Sequence, residues 1–243
     1  MKENELLPGL FAFGLGLWVE NDRALVIADL HLGIEEMFSS QGILVPRFNF
    51  LAIKKHLGER VFPKVKPETI VINGDLKHEF GTISGQEWSE VIEMLRFLQK
   101  HCKRIVLIRG NHDTILGPIA KWENLSIERE GLLLEKSLVF VTHGEEIPKS
   151  AAFKKAKTVV VGHEHPALTI RDKHRAEQFK CFLAGRFGSK SLVVMPSINH
   201  FSIGTDAREG NTLGPFLKKG FGKFRVFAVA DKVYDFGPLE NLD

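Results

Sequence analysis

Five short apolar runs, rich in β-branched residues, each stop on residue types that buried strands seldom carry. RALVIA (23–28) leads into Asp29-Leu30-His31, and ETIVI (68–72) into Asn73-Gly74-Asp75. RIVLI (104–108) is followed by Arg109-Gly110-Asn111-His112-Asp113, SLVFV (137–141) by Thr142-His143-Gly144, and TVVV (158–161) by Gly162-His163-Glu164-His165. A short, continuously apolar run fits a strand covered on both faces. In α/β folds the loops that leave the carboxyl ends of such strands converge on one crevice. Asp, Asn and His at five separate strand ends therefore predict one shared polar site, and chance is a poor account of them.

The rest of the chain supplies the frame. FAFGLGLWVE (11–20) and RALVIAD (23–29) are separated by Asn21-Asp22, a hairpin-type turn. Apolar residues recur at helical spacing from Gly33 to Gln41 and from Phe48 to Phe62. The clearest helix is 84–100, where Ser84 and Glu87 form a capping-box pattern and Trp88, Val91, Ile92, Leu95 and Leu98 make one stripe. Beyond about residue 166 the alternation stops, and ALTIRD, QFKCFLAG, SLVVMP and FRVFAVA read as strands with no long helix between them. An α/β start with a β-rich finish predicts an α/β fold built as a two-sheet β-sandwich flanked by helices. With 243 residues and no repeat, low-complexity tract or linker, one domain over 1–243 is expected.

Composition narrows the setting. No apolar run is long enough to span a bilayer, so no membrane role is expected. MKENELLPGL lacks the basic-then-apolar layout of a secretory signal. The two cysteines, Cys102 and Cys181, make neither a disulfide framework nor a thiolate zinc site, which suits a reducing, cytoplasmic setting. A net charge of +3 permits contact with a polyanion without demanding it. The segment 203–223 is glycine-rich, and around it Lys218, Lys219, Lys223 and Arg225 interleave with Phe216, Phe221 and Phe224. Two readings stand for it: a surface loop whose aromatics pack on the core, or a basic, aromatic track for a single strand of nucleic acid.

Carboxylate, amide and imidazole donors without thiolate suit a borderline-hard divalent ion such as Mn²⁺, Fe²⁺ or Zn²⁺. Asp29, His31, Asp75, Asn111, His143, His163 and His165 are too many ligands for one tetrahedral ion and about right for two ions sharing a carboxylate. Two such ions can activate water and clamp the oxygens of a phosphate. In order, D-x-H, GD, GNHD, a lone HG and GHEH resemble the calcineurin-like metallophosphoesterases, over Asp29 to His165. The details DLHLG (29–33), INGDLKHEFG (72–81) and the late LGPFL resemble small prokaryotic members related to the SbcD nuclease subunit and to DNA-ligase- or helicase-associated phosphoesterases.

The resemblance implies a four-layer αββα fold and assigns roles. Asp29, His31 and His165 would hold one ion; Asn111, His143 and His163 would hold the other; Asp75 would bridge. His112 would assist the leaving oxygen, with Asp113 fixing its imidazole through the other ring nitrogen. Extended backbone would project His163 and His165, two residues apart, to the same side, with Glu164 pointing away. Arg109 and Arg47 are weaker candidates for contacting substrate phosphate, since arginines in such places are more often surface partners. His78 stands where many relatives carry an acidic or amide residue, and its role stays open between substrate contact and capping.

The resemblance implies a two-metal phosphodiesterase, with manganese the foremost metal and iron or zinc as alternatives. Nuclease action on DNA, at single strands or ends, is the first reading of its substrate, with a helicase or ATPase as a partner. A small-molecule phosphodiesterase or phosphomonoesterase, for example on cyclic nucleotides, is the alternative. A non-catalytic scaffold is disfavoured, because His112 and all seven ligands are present.

Overall fold

A computed structural model describes residues 4–79, 84–114, 116, 119, 124–171, 175–218, 220, 221 and 223–242. The first sheet runs in chain order through β1 (Glu5–Leu7), β2 (Leu10–Phe13), β3 (Gly16–Val19), β4 (Ala24–Ala28), β5 (Thr69–Asn73), β6 (Arg104–Ile108) and β7 (Leu125–Glu128). The apolar run 11–20 thus splits in two at Gly14, which takes a left-handed φ of 54°. Strands β1 to β4 are antiparallel, and β4 to β7 are parallel. In that parallel set Ala28 pairs with Asn73 and Asn73 with Ile108, so three chains leave the sheet side by side at one edge.

The second sheet holds β8 (Leu132–Leu134), β9 (Val139–Thr142), β10 (Thr158–Val161), β11 (Pro166–Arg171), β12 (Ala176–Phe187), β13 (Lys190–Val194), β14 (Thr205–Asp206), β15 (Arg225–Val229) and β16 (Val233–Pro238). Strands β9, β10 and β13 are parallel, with Val161 opposite both Thr142 and Val194. His143 and Gly162 therefore also emerge together.

Side-chain alternation decides what each face covers. Val26, Ala28, Val71, Val106 and Ile108 meet Val139, Val141, Val160, Phe182 and Val193 in the core between the sheets. On the outer face of the first sheet Leu25, Ile27, Ile70, Ile72 and Leu107 pack against Ile53 of α2 (Asn49–His56) and Val91, Leu95 and Leu98 of α3 (Gly85–Gln99). The helical spacing of 48–62 resolves into α2 and a π-type turn, Leu57–Val61, and that of 33–41 into α1 (Ile34–Ser40).

The outer face of the second sheet has little helix. Val159, Val161, Leu192 and Val194 are covered by Phe153 of α4 (Ala151–Lys155) and by Phe216, Leu217, Phe221 and Phe224. This overturns the nucleic-acid reading of the basic, aromatic segment. Phe216, Phe221 and Phe224 are 5–6% exposed, so their rings replace a missing helix and are not open to a base. Lys219 lies outside the described residues. Among the described residues no helix is long and apolar enough to cross a membrane.

Candidate metal centre

The parallel strand ends bring all seven expected ligands to one place. Asp29, His31 and His165 form one group whose donor atoms lie within 4.8 Å of one another, and Asp75, His143 and His163 form a second. Asn111 joins the second, its Oδ1 lying 3.1 Å from His143 Nε2. His163 Nδ1 is 3.1 Å from that same nitrogen. Asp75 stands between the groups, with Oδ2 3.6 Å from His143 Nε2 and 3.7 Å from His31 Nε2. Asp29 lies beside both as well, 3.5 Å from His165 Nε2 through Oδ2 and 3.5 Å from His143 Nδ1 through Oδ1.

Donor atoms bound at roughly 2.0–2.2 Å to one cation come within about 3–3.5 Å of each other. The nearest pairs of the cluster, at 3.1–3.7 Å, lie close to that spacing. Asp29 Oδ1, His143 Nδ1 and His165 Nε2 are buried with no hydrogen-bond partner, and a buried polar atom left unsatisfied costs about 1–3 kcal/mol. Burial raises the Asp75 carboxyl far above the carboxylate range, and the Asp29 charge adds to the rise. For Asp29 burial pulls upward, but the adjoining His165, with which it pairs and hydrogen-bonds, leads the opposing pull that holds its carboxyl low, at about 2. Burial also pushes His31, His143 and His163 below their usual range, so they are neutral at pH 7 and present lone pairs. Neutral imidazoles around two crowded carboxylates fit divalent cations.

The backbone is strained for the same purpose. Nine described non-glycine residues have positive φ, and five are candidate ligands: Asp29 (54°), His31 (47°), Asp75 (42°), His163 (67°) and His165 (45°). Such conformations cost on the order of 1–3 kcal/mol and gather at functional sites. They also correct the extended geometry expected for His163 and His165. Each turns through the left-handed region, which sends His163 to the Asp75 group and His165 to the Asp29 group. Two glycines give close approach: a Cβ on Gly74 would meet His143 Nδ1 at 1.9 Å, and one on Gly110 would meet Asp75 Oδ1 at 2.2 Å.

His112 borders the centre. Its backbone N–H donates to Asp75 Oδ1 at 3.0 Å, and its ring Nε2 is 4.0 Å from Asp75 Oδ2. The ring Nδ1 hydrogen-bonds the His78 carbonyl, which corrects the part given to Asp113. That carboxylate is fully buried and accepts the N–H groups of Leu76 (3.1 Å), Lys77 (3.4 Å) and Gly110 (3.1 Å), and does not meet the imidazole. Backbone amides exposed at two neighbouring strand ends need an acceptor, and Asp113 is the nearest one. It ties the Asp75 loop to the Asn111 loop, and burial pushes its carboxyl up to about 6.

Arg109 turns its guanidinium onto the carbonyls of Asp113 (3.0 Å) and Thr114 (3.1 Å), so it braces the same loop. It also lines a cavity of about 280 Å³ beside His143, together with Arg129, Glu145 and Lys149. Arg47 is exposed on the loop between α1 and α2, where its charge acts on Glu90. Glu164 points away, as expected, and its carboxylate accepts the N–H groups of Leu213 (2.9 Å) and Gly214 (2.7 Å).

Several supports escaped the sequence reading. The Ser84 hydroxyl accepts the Glu87 N–H at 3.1 Å, one half of a capping box. The Glu87 carboxylate does not complete it; Oε1 accepts the N–H groups of His78 and Glu79, both at 2.9 Å. Asn49 donates to the Leu30 carbonyl at 3.1 Å, and Ser197 donates to the Asp29 carbonyl at 2.7 Å. No sequence signal marks Asn49 or Ser197, which lie far from the strand ends along the chain.

A profile of the calcineurin-like phosphoesterases matches residues 23–188, which hold every candidate ligand. The chain belongs to the calcineurin-like phosphoesterase family. As a member it is a metal-dependent phosphoesterase with the family's two-sheet fold. Its structure is similar to that of Pseudomonas putida nuclease MPE, at 21% identity and a TM-score of 0.63, over 93% of this chain and 94% of that one. Looser likeness extends to a predicted phosphoesterase from Streptococcus pneumoniae (16% identity, TM-score 0.35, 87% of this chain and 91% of that one). Vacuolar Protein Sorting 29 from Cryptosporidium parvum gives 13% identity and a TM-score of 0.39 over 93% of this chain and 100% of that one. No curated protein sequence matches the chain.

Proposed function

We propose that this phosphoesterase is a two-metal phosphodiesterase acting on DNA as a nuclease, at single strands or ends. One observation carries the two-metal part: two mostly buried ligand groups lie on either side of the Asp75 carboxylate, whose Oδ2 is 3.7 Å from His31 in one and 3.6 Å from His143 in the other. Asp29, His31 and His165 would hold one ion and Asn111, His143 and His163 the other, with Asp75 common to both. Manganese is the metal proposed first; iron and zinc suit the same donors. When bound, two divalent ions supply Lewis acidity toward the phosphate oxygens and lower the pKa of water.

The chain's own residues do the rest. His112 Nε2 faces the centre and would give a proton to the leaving oxygen, while its Nδ1 stays anchored on the His78 carbonyl. Asp113 and Arg109 hold the loop that carries Asn111 and His112. The cavity beside His143 leaves room for the substrate to extend past the reacting phosphorus, as a diester requires. We treat 1–243 as one catalytic domain, since the inter-sheet core draws on both halves of the chain.

The nucleic-acid substrate is supported by the fold match to a protein named a nuclease over nearly the full length of both chains. A helicase or ATPase partner rests on the sequence resemblance alone. Burial of Phe216, Phe221 and Phe224 favours the second reading, a small-molecule phosphodiesterase, because it removes the stacking track. Incubation of the purified protein with Mn²⁺ and labelled single-stranded DNA, duplex DNA or bis-p-nitrophenyl phosphate separates the two. Degradation of DNA is expected. Turnover of the small diester with all DNA left intact would overturn the nuclease reading.

A further inference from the structure

His78 belongs to no expected ligand set, yet its ring touches the candidate ligand His31 and its carbonyl holds the ring of His112. Its ring Nδ1 lies 3.2 Å from His31 Nδ1, and its ring Nε2 lies 3.2 Å from the Met37 sulfur. Its carbonyl receives the His112 ring, and its N–H donates to Leu32 O (3.0 Å) and Glu87 Oε1 (2.9 Å). The backbone bonds fix where the ring sits, and the ring's two nitrogens then meet two different partners.

Which nitrogen carries the proton follows from what each partner can do. A thioether has no proton to give, so it can only accept. The nitrogen facing Met37 must therefore be the protonated one, and His78 is the Nε2–H tautomer. The ring's two nitrogens meet a thioether and an imidazole, neither of them an anion that would hold a second proton on it, so Nδ1 carries a lone pair. Among the described residues the donor facing that lone pair is His31 Nδ1. His31 must be protonated there, which leaves its Nε2, the atom 3.7 Å from Asp75 Oδ2, with a free lone pair inside the centre.

We propose that His78 is a positioning residue for the metal centre: seated on Met37, it locks His31 in the Nδ1–H tautomer that presents Nε2 to a cation. Metal-bound histidines commonly hand their second ring proton to a carboxylate, a carbonyl or water; here a second histidine takes it. The same residue fixes His112 through its carbonyl, which only accepts, so one residue sets the tautomers of two histidines. The competing use of the three rings would be a third cation between His31, His78 and His112, whose donor atoms lie within 4.8 Å. Bound there, a cation would need the His31 Nδ1 lone pair and would push the proton to Nε2, disabling His31 toward the Asp29 group. The Met37 contact argues against that arrangement. The proposal rests on reading Asp29, His31 and His165 as ligands of one ion.

Two measurements test it without any substrate, so failure of the nuclease reading leaves them untouched. Long-range ¹H–¹⁵N spectra of the metal-free, full-length protein should show His31 protonated at Nδ1 and His78 at Nε2. The opposite tautomer at either ring would overturn the lock, and this readout needs no variant. Calorimetric titration with Mn²⁺ should show one of two equivalents lost or its affinity cut about 10–100-fold in His78→Leu. In His78→Asn, whose side-chain oxygen can take the place of Nδ1, most of the affinity should return. Unchanged affinity for both equivalents in a folded His78→Leu would overturn the proposal, and so would a third equivalent that disappears with His78.

Discussion

The strand-end loops and the 203–225 segment both gather residue types associated with ligands, and burial treats them in opposite ways. At the strand ends, buried Asp29, Asp75 and His143 are surrounded by other polar atoms, and several lone pairs have no donor. In the late segment the buried groups are Phe216, Phe221 and Phe224, which pack on Phe153, Phe187 and one another. The first region spends stability on unsatisfied charge and left-handed backbone; the second gains it from apolar area. Residue type alone does not separate them, because an aromatic beside lysines can stack on a base or fill a core. What decides is whether the buried groups are left wanting a partner.

Substitutions can break or sharpen this contrast. Asp75→Ala removes the carboxylate that stands between the two groups, so metal content should fall and diester turnover should drop by several kcal/mol of transition-state stabilisation, about a thousandfold or more in rate. Elemental analysis with an assay on bis-p-nitrophenyl phosphate checks this, and retention of both ions would remove the bridging role. His112→Gln should lower kcat by about 10²–10⁴-fold with metal content unchanged. If kcat did not move, the proton-transfer role would pass to another group. Phe216→Ala should cost about 3–5 kcal/mol of stability, a loss in Tm on the order of 10 °C, with specific activity intact below the transition. A melt followed by circular dichroism, beside the same assay, reads both. Smallest of all, Lys218→Ala combined with Lys223→Ala should change KM for single-stranded DNA by less than about threefold, as expected of exposed charges away from the site. A tenfold rise would return the late segment to the substrate path.

Particular residues mark how far the chain could be read. The five strands were visible because each is a short, continuous apolar run, and their ligands because Asp, Asn and His there have no packing use. Two supports and a pair of candidate ligands were misread for a common reason. Asp113 sits beside His112 in sequence, so a side-chain pair was expected, but the amides of Leu76 and Lys77 lie closer in space. Glu87 looked like half of a reciprocal cap, yet its carboxylate turns to the His78 loop. His163 and His165 are two apart, which suggests one side only if the chain is extended, and it is not.

By itself, the sequence determined the two-sheet class, the seven donors and the edge of the sheet on which they gather, since periodicity and strand-end placement are local properties of the chain. Tertiary structure alone decided how the backbone turns at His163 and His165, what each neighbouring side chain supports, and whether the late aromatics meet solvent. Those outcomes depend on register between strands and on which polar atoms burial leaves closest together, and neither is encoded in the spacing of residues along one strand. His78 shows the difference most plainly: its place beside Asp75 could be read directly, but its hold on His31 depends on Met37, brought to its loop by α1.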